Sequence, residues 1–255
     1  MKIYVLVKQV PDTETRIKID GAAISEAGVK WIVSPFDEHA LEETLRLREK
    51  TQGNITAVSY GPERAKDALR TALALGVDRA VLIKDESYNP LDVGYAATAL
   101  AAFLKSEGAD LVLAGHTAID SQSSLVPSMI AESLGCPCVN NVTEVTPEGS
   151  SIVCKKEIDG GAGVMKCEAP AVLTAAKSLN EPRYPSLKGI MAAKKKTIEE
   201  KSAEETLGSS APPRLEIVSL EMPPDRPQGK ILEGDSPEAK AQELVKLLRE
   251  EARVI

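Results

Sequence analysis

The feature that most narrows the fold is an alternation running through the first two-thirds of the chain. Short apolar runs end in turn residues, and a stretch with helical spacing follows each of them. Residues 3–7 form such a run, suited to a strand buried on both faces. Residues 37–50 have helical spacing, with Ala40, Leu41, Thr44 and Leu45 on one side and Glu42, Glu43, Arg46 and Glu49 on an opposite, solvated side. A second strand over residues 54–60 ends at Gly61-Pro62, which opens a helix through Ala65, Ala68, Leu69 and Ala72 that stops at Gly76. Residues 79–84 give a third strand, 90–106 an Ala-rich helix, 111–114 a fourth strand and 121–134 a further helix. This βαβαβ rhythm predicts an α/β fold, with an open, mostly parallel sheet and helices on both faces.

The pattern then changes. Residues 141–157 alternate as one antiparallel strand, which pairs with 164–168 in a β-hairpin across Asp159-Gly160-Gly161; residues 171–175 return to the main sheet. Beyond Ser178 come Pro182, Pro185, Pro212, Pro213, Pro223, Pro224 and Pro227, interspersed with charge. A loop-rich stretch of roughly 55 residues does not suit the inside of one domain. It reads as an extended C-terminal arm lying on another protein. The arm ends in a helix over residues 236–253, with Ser236 as cap, Pro237 in the first turn and Leu244, Val245 and Leu248 on one face. The expected organisation is therefore an α/β body, 1–178, and an arm, 179–255.

Charge and composition remove several classes of function. A net charge of −7 does not suit a nucleic-acid binder, and 3% aromatic residues leave no base-stacking surface. No apolar run approaches the ~20 residues that span a bilayer, so no membrane insertion is expected. The opening strand leaves no room for a signal peptide, and the expected location is cytoplasmic. Cys136, Cys138, Cys154 and Cys167 lack C-x-x-C spacing, and with His39 and His116 alone beside them they make no metal set; they read as reduced and structural.

The segment most suited to chemistry runs from the end of the fourth strand: Gly115, His116, Thr117, Ala118, Ile119, Asp120, Ser121, Gln122, Ser123 and Ser124. Ligands of open α/β sheets sit beyond the carboxyl ends of the strands. A helix N-terminus there offers free N–H groups to phosphate, and Gly115 permits close backbone approach. Asp120 suits either a ribose hydroxyl or a helix cap. Other strand ends join this edge: Leu6-Val7-Lys8, Ser34-Pro35-Phe36-Asp37 and Tyr60 before Gly61. Together they describe a nucleotide crevice or, singly, ordinary turn chemistry. No Walker loop, G-x-G-x-x-G or G-x-S-x-G is present, so no catalytic residues are assigned. His116 fits a structural or ligand contact better than a base. Lys194-Lys195-Lys196 is either a solvated patch or a docking site for an acidic surface.

The stretch Leu179-Asn180-Glu181-Pro182-Arg183-Tyr184-Pro185-Ser186-Leu187-Lys188-Gly189-Ile190-Met191, with the lysines after it, resembles the beta subunit of electron transfer flavoproteins. Val7-Lys8-Gln9-Val10-Pro11-Asp12, Arg70-Thr71-Ala72-Leu73-Ala74-Leu75-Gly76 and Glu157-Ile158-Asp159-Gly160-Gly161 extend the resemblance over nearly the whole chain. The resemblance implies an adenine-nucleotide-alpha-hydrolase-like fold and an arm around an alpha subunit that holds most of an electron-carrying FAD. It implies a heterodimeric electron carrier rather than an enzyme. Its electron donors would be acyl-CoA or related dehydrogenases of fatty acid β-oxidation, and its acceptor a membrane quinone oxidoreductase. It further implies a structural AMP held by Leu6, Ser34, Pro35, Phe36, Asp37, Tyr60, the 115–124 loop and Val126. Tyr184, Leu187, Ile190, Met191, Lys194 and Lys195 would form the dehydrogenase recognition segment. Three features depart from the family: Gly163 stands for an acidic residue, Ala192 stands for a lysine, leaving Lys195 as the matching charge, and Asp120-Ser121-Gln122-Ser123-Ser124 differs from the usual loop, which bears on the bifurcating members. Bifurcating relatives, which bind a second FAD and oxidise NADH, tend to lack the Asn-Glu-Pro-Arg-Tyr and Asp-Gly-Gly segments; both stand here, which favours AMP.

Overall fold

Strand β1 (Lys2–Leu6) turns Ile3 and Val5 to one face and Tyr4 and Leu6 to the other, and all four are buried. This two-sided burial marks a central strand, and β1 lies in the middle of the sheet. The computed structural model describes residues 1–21, 23–208, 215–226 and 228–255; Pro212, Pro213 and Pro227 of the expected arm lie outside them. After β1 the chain makes an excursion through β2 (Gln9–Pro11), β3 (Ile19–Asp20), β4 (Ala23–Ile24) and β5 (Trp31–Val33). Here β2 pairs with β5 and β3 with β4, both antiparallel. The parallel units follow: α1 (Pro35–Thr51), β6 (Asn54–Gly61), α2 (Lys66–Leu75), β7 (Arg79–Lys84), α3 (Val93–Glu107), β8 (Leu111–Gly115) and α4 (Val126–Leu134). Leu41 and Leu45 of α1 and Leu69 and Leu73 of α2 pack with Ile3 and Val5 on one face of the sheet. Phe103 and Leu104 of α3 and Ile130 of α4 pack with Tyr4 and Leu6 on the other.

Three boundaries differ from expectation for local reasons. Helix α3 begins at Val93 rather than Pro90, because the Asp92 carboxylate caps the Tyr95 amide at 3.0 Å. Helix α4 begins at Val126 rather than Ser121: Gln122 and Ser124 sit at φ 49° and 54°, outside helical space, and Pro127 falls in the first turn, where its missing N–H breaks no helical bond. The expected single strand over 141–157 is two, β9 (Cys138–Glu148) and β10 (Ser151–Ile158), turned at Gly149 with φ 64°. Strand β11 (Gly161–Glu168) pairs antiparallel with β10, and β12 (Ala171–Ala175) joins the main sheet.

The chain past Ser178 carries more structure than a loop-rich reading foresees. Helix α5 (Leu187–Lys195), strand β13 (Glu199–Ser202) and helix α6 (Ala203–Leu207) lie on the body, with Ala193, Ile198 and Ala203 buried. Strand β13 adds in parallel to β7. The nine-stranded sheet runs β11-β10-β9-β12-β8-β1-β6-β7-β13. From Leu215 onward no described residue is in a strand, and α7 (Pro237–Glu250) is capped by Ser236 as expected. No helix among the described residues is long and apolar enough to cross a membrane.

Candidate functional site

The chain builds β1, β6 and β7 in one direction and then returns to lay β8 on the far side of β1. The strand order reverses between β1 and β8, and such a switch point opens a crevice at the carboxyl ends. A cleft lies there, between Leu6, Val7 and Lys8 at the end of β1 and Ala114, Gly115 and His116 at the end of β8.

Eleven of the expected nucleotide residues line the cleft: Leu6, Asp37, Tyr60, Gly115, His116, Thr117, Ala118, Ser121, Ser123, Ser124 and Val126. Ser34, Pro35, Phe36, Ile119, Asp120 and Gln122 do not. Ser34 is fully buried, and its hydroxyl has no partner among the described residues. The cleft also takes in Tyr88, Asn89, Pro90 and Val93, none of them in the expected site, together with Lys8, which the sequence placed at this edge. The Tyr88-Asn89-Pro90 turn follows β7 at the same sheet end, and that position was the available signal.

Asp37 and Gly115 act together. The Asp37 carboxylate is buried in the first turn of α1 and accepts the Lys8 amide at 2.7 Å and the Gly115 amide at 2.9 Å, so it ties the ends of the two switch-point strands. Burial pushes its pKa up to about 7 against the pull of those two amides. A Cβ on Gly115 would stand 2.5 Å from Asp37 Oδ1 and 2.7 Å from Phe36 Cβ. The glycine therefore admits the end of α1, where the sequence suggested that it admits a ligand.

Asp120 is not a helix cap. Its carboxylate meets Lys8 Nζ at 2.7 Å and accepts the Ser121 amide at 2.8 Å, strapping the 116–125 loop to the end of β1. Thr117 Oγ1 is buried with no hydrogen-bond partner among the described residues, although its residue lines the cleft. Ser59 Oγ, like Ser34 Oγ, is buried in the same way. Gln122 and Ser124 in left-handed conformations turn the backbone of the loop. On the opposite wall, Tyr60 donates to Asp85, and its ring lies 5.6 Å from Tyr88 and 6.2 Å from Tyr95. Burial and the Asp85 charge hold the Tyr60 phenol neutral by pushing its pKa far above the ordinary value. The wall is thus aromatic, and the loop opposite it carries hydroxyls and amides.

The other expected surface lies elsewhere. Tyr184 is 94% exposed and Leu187 78%, with Ile190, Met191, Lys194 and Lys195 exposed beside them on and around α5. Lys196 departs from its two neighbours, donating to the Val77 carbonyl at 2.8 Å. The polar side of α1 also departs from expectation: Glu42 and Glu43 are buried under Arg183 and Asn180 rather than solvated. All four cysteines are free.

The electron transfer flavoprotein domain model matches residues 21–206. The chain is 41% identical over 258 residues to the electron transfer flavoprotein subunit beta of Bacillus subtilis (strain 168), covering 100% of each. It is 40% identical over 255 residues to that of Syntrophomonas wolfei, covering 100% of this chain and 98% of the relative. With the subunit of Mycobacterium tuberculosis (strain ATCC 25618 / H37Rv) it shares 41% over 204 residues, 77% of each. The alternation of strands and helices, the cleft where the strand order reverses and these full-length similarities agree: the chain belongs to the electron transfer flavoprotein family, as a beta subunit.

Proposed function

We propose that this chain is the nucleotide-binding half of a non-bifurcating electron-carrying heterodimer. The alpha subunit holds most of the FAD, which supplies the redox chemistry. This chain holds AMP in the cleft between β1 and β8, embraces the alpha subunit with its arm and presents residues 184–195 to acyl-CoA or related dehydrogenases. Electrons pass on to a membrane quinone oxidoreductase, and the assembly works in the cytoplasm.

The observation that carries this reading is the cleft itself, at a switch point, with an aromatic wall facing a hydroxyl-rich loop. The set fits a mononucleotide. Tyr60 and Tyr88 offer ring surface to a base. Ser121, Ser123, Ser124 and the first amides of α4 offer donors to phosphate. Lys8 supplies positive charge at the same edge. The arm supports an alpha-subunit partner: Val218 is 89% exposed and Ile231 93%, and Met222, Leu244 and Val245 add further apolar surface. Nucleotide released from the denatured, co-expressed heterodimer tests the reading. One AMP and one FAD per heterodimer is the expected result; two FAD and no AMP would replace it with a bifurcating carrier.

A further inference from the structure

The exposed apolar residues of the 184–191 segment stand on a short stretch of chain that must be held in place if it is to present one surface. On its N-terminal side, Arg183 grips α1. Its Nε and Nη2 donate to the two oxygens of Glu42 at 2.8 and 3.0 Å, and its amide donates to Glu42 Oε2 at 3.2 Å. Glu42 is only 3% exposed, and Arg46 donates to it as well, at 2.7 Å. Arg183 Nη1 reaches Glu49 at 3.0 Å. Asn180 reinforces the grip, donating to the His39 carbonyl at 3.0 Å and to Glu43 at 3.1 Å. On the C-terminal side, a Cβ on Gly189 would stand 2.3 Å from the Ala74 carbonyl, so α5 rests directly on α2. Arg70 donates to the carbonyls of Ala193 at 2.7 Å and Lys196 at 2.6 Å.

A planar, two-toothed Arg–carboxylate contact fixes direction as well as distance. The residue next to Arg183 is Tyr184, the most exposed large apolar or aromatic side chain of the described body. We infer that Arg183, through its bidentate contact with the buried Glu42, is a positioning residue that pre-organises the 184–191 docking surface. This rests on the proposed docking role of that surface. Pre-organisation lowers the ordering cost of binding, so its loss appears as weaker docking rather than slower electron transfer within the docked complex.

The test uses the flavin-loaded heterodimer and variants Arg183→Gln, Arg183→Lys and the neutral pair Glu42→Gln/Arg183→Gln, the last guarding against misfolding around a buried Glu42 left with Arg46 alone. Amide exchange is followed without dehydrogenase. Flavin reduction is followed with a butyryl-CoA-reduced acyl-CoA dehydrogenase at varied concentration. In Arg183→Gln, exchange over residues 184–191 should quicken by about tenfold while β6 stays protected. The half-saturating dehydrogenase concentration should rise by roughly tenfold with the limiting rate unchanged, and Arg183→Lys should recover part of both. Unchanged exchange at 184–191 in Arg183→Gln and in the double variant overturns the inference. So does faster exchange with an unchanged half-saturating concentration, provided that the control Leu187→Ala raises it. If Leu187→Ala leaves that concentration unchanged, the docking reading has failed, and exchange alone decides whether Arg183 positions the segment.

Discussion

At Gly115 a single hydrogen atom decides how closely α1 approaches the end of β8. In Gly115→Ala the new methyl must displace Asp37 or Phe36, and both belong to packed structure. The expected cost is roughly 1–3 kcal/mol, read as a lower urea midpoint. Asp37 gives a second prediction. Asn in its place presents an N–H₂ to one of the two amides that the carboxylate now accepts, which leaves a buried N–H unpaired and costs about 1–3 kcal/mol. The wild-type penalty for ionising Asp37 has a definite sign. Its pKa rises from 3.8 to about 7 on burial, so folding favours the protonated form. Its contribution to stability is full below the unfolded pKa and is lost as pH rises through about 7. Asn does not titrate, so the gap between wild type and Asp37→Asn should be wider near about pH 5 than near about pH 8 when urea midpoints are compared.

Among the elements, the 116–125 loop is tethered to the end of β1 by a side-chain pair. Lys8 and Asp120 are 25% and 18% exposed, and a pair this wet contributes about 1 kcal/mol or less to stability. Asp120→Ala should therefore leave the thermal midpoint nearly unchanged while lowering the AMP retained per heterodimer after dialysis; full retention would show that the tether is dispensable for binding. The loop also shows where local pattern fails. Ser121, Ser123 and Ser124 can be read as the start of a helix, yet the backbone reverses at Gln122 and Ser124, and the helix waits for Val126. Strand β13 is a second example. Glu199-Glu200-Lys201-Ser202 has no strand periodicity and becomes a strand through pairing with β7 and through ion pairs such as Arg79–Glu199 at 2.7 Å.

The whole molecule divides by how its residues are covered. The body buries its apolar side chains on both faces of the sheet, while the arm leaves Val218, Ile231, Val254 and Ile255 largely exposed. Ending the chain after Gly208 should give a folded body that no longer co-purifies with the alpha subunit. Ending it after Ser178 should be far worse, since it strips β13 from the sheet and uncovers the surface beneath Ala193, Ile198 and Ala203. Circular dichroism and size-exclusion chromatography of the two truncations separate these outcomes. The shorter chain behaving like the longer would show that the segment from α5 to α6 is not part of the body. Among the described residues, Leu215 ties the arm to the turn on the cleft wall: its carbonyl accepts from Asn89 at 3.4 Å, and its amide donates to Asp92 at 3.3 Å.

The parallel strands and the helices between them up to α4 were legible in the sequence, because apolar period and turn residues act over a few neighbouring positions; the short antiparallel strands β2 to β5 between β1 and α1 were not. The edge of the sheet where the cleft opens was legible too, since βα turns must gather at the carboxyl ends of parallel strands. The tertiary structure alone decided which turns meet. It brought Tyr88 and Asn89 to the cleft, turned Asp37 into a clamp between two strand ends, and buried Glu42 beneath Arg183, 141 residues away in sequence. No local pattern encodes such a partner: the sequence around Glu42 is that of a solvated helix face, and only the returning chain takes the water away.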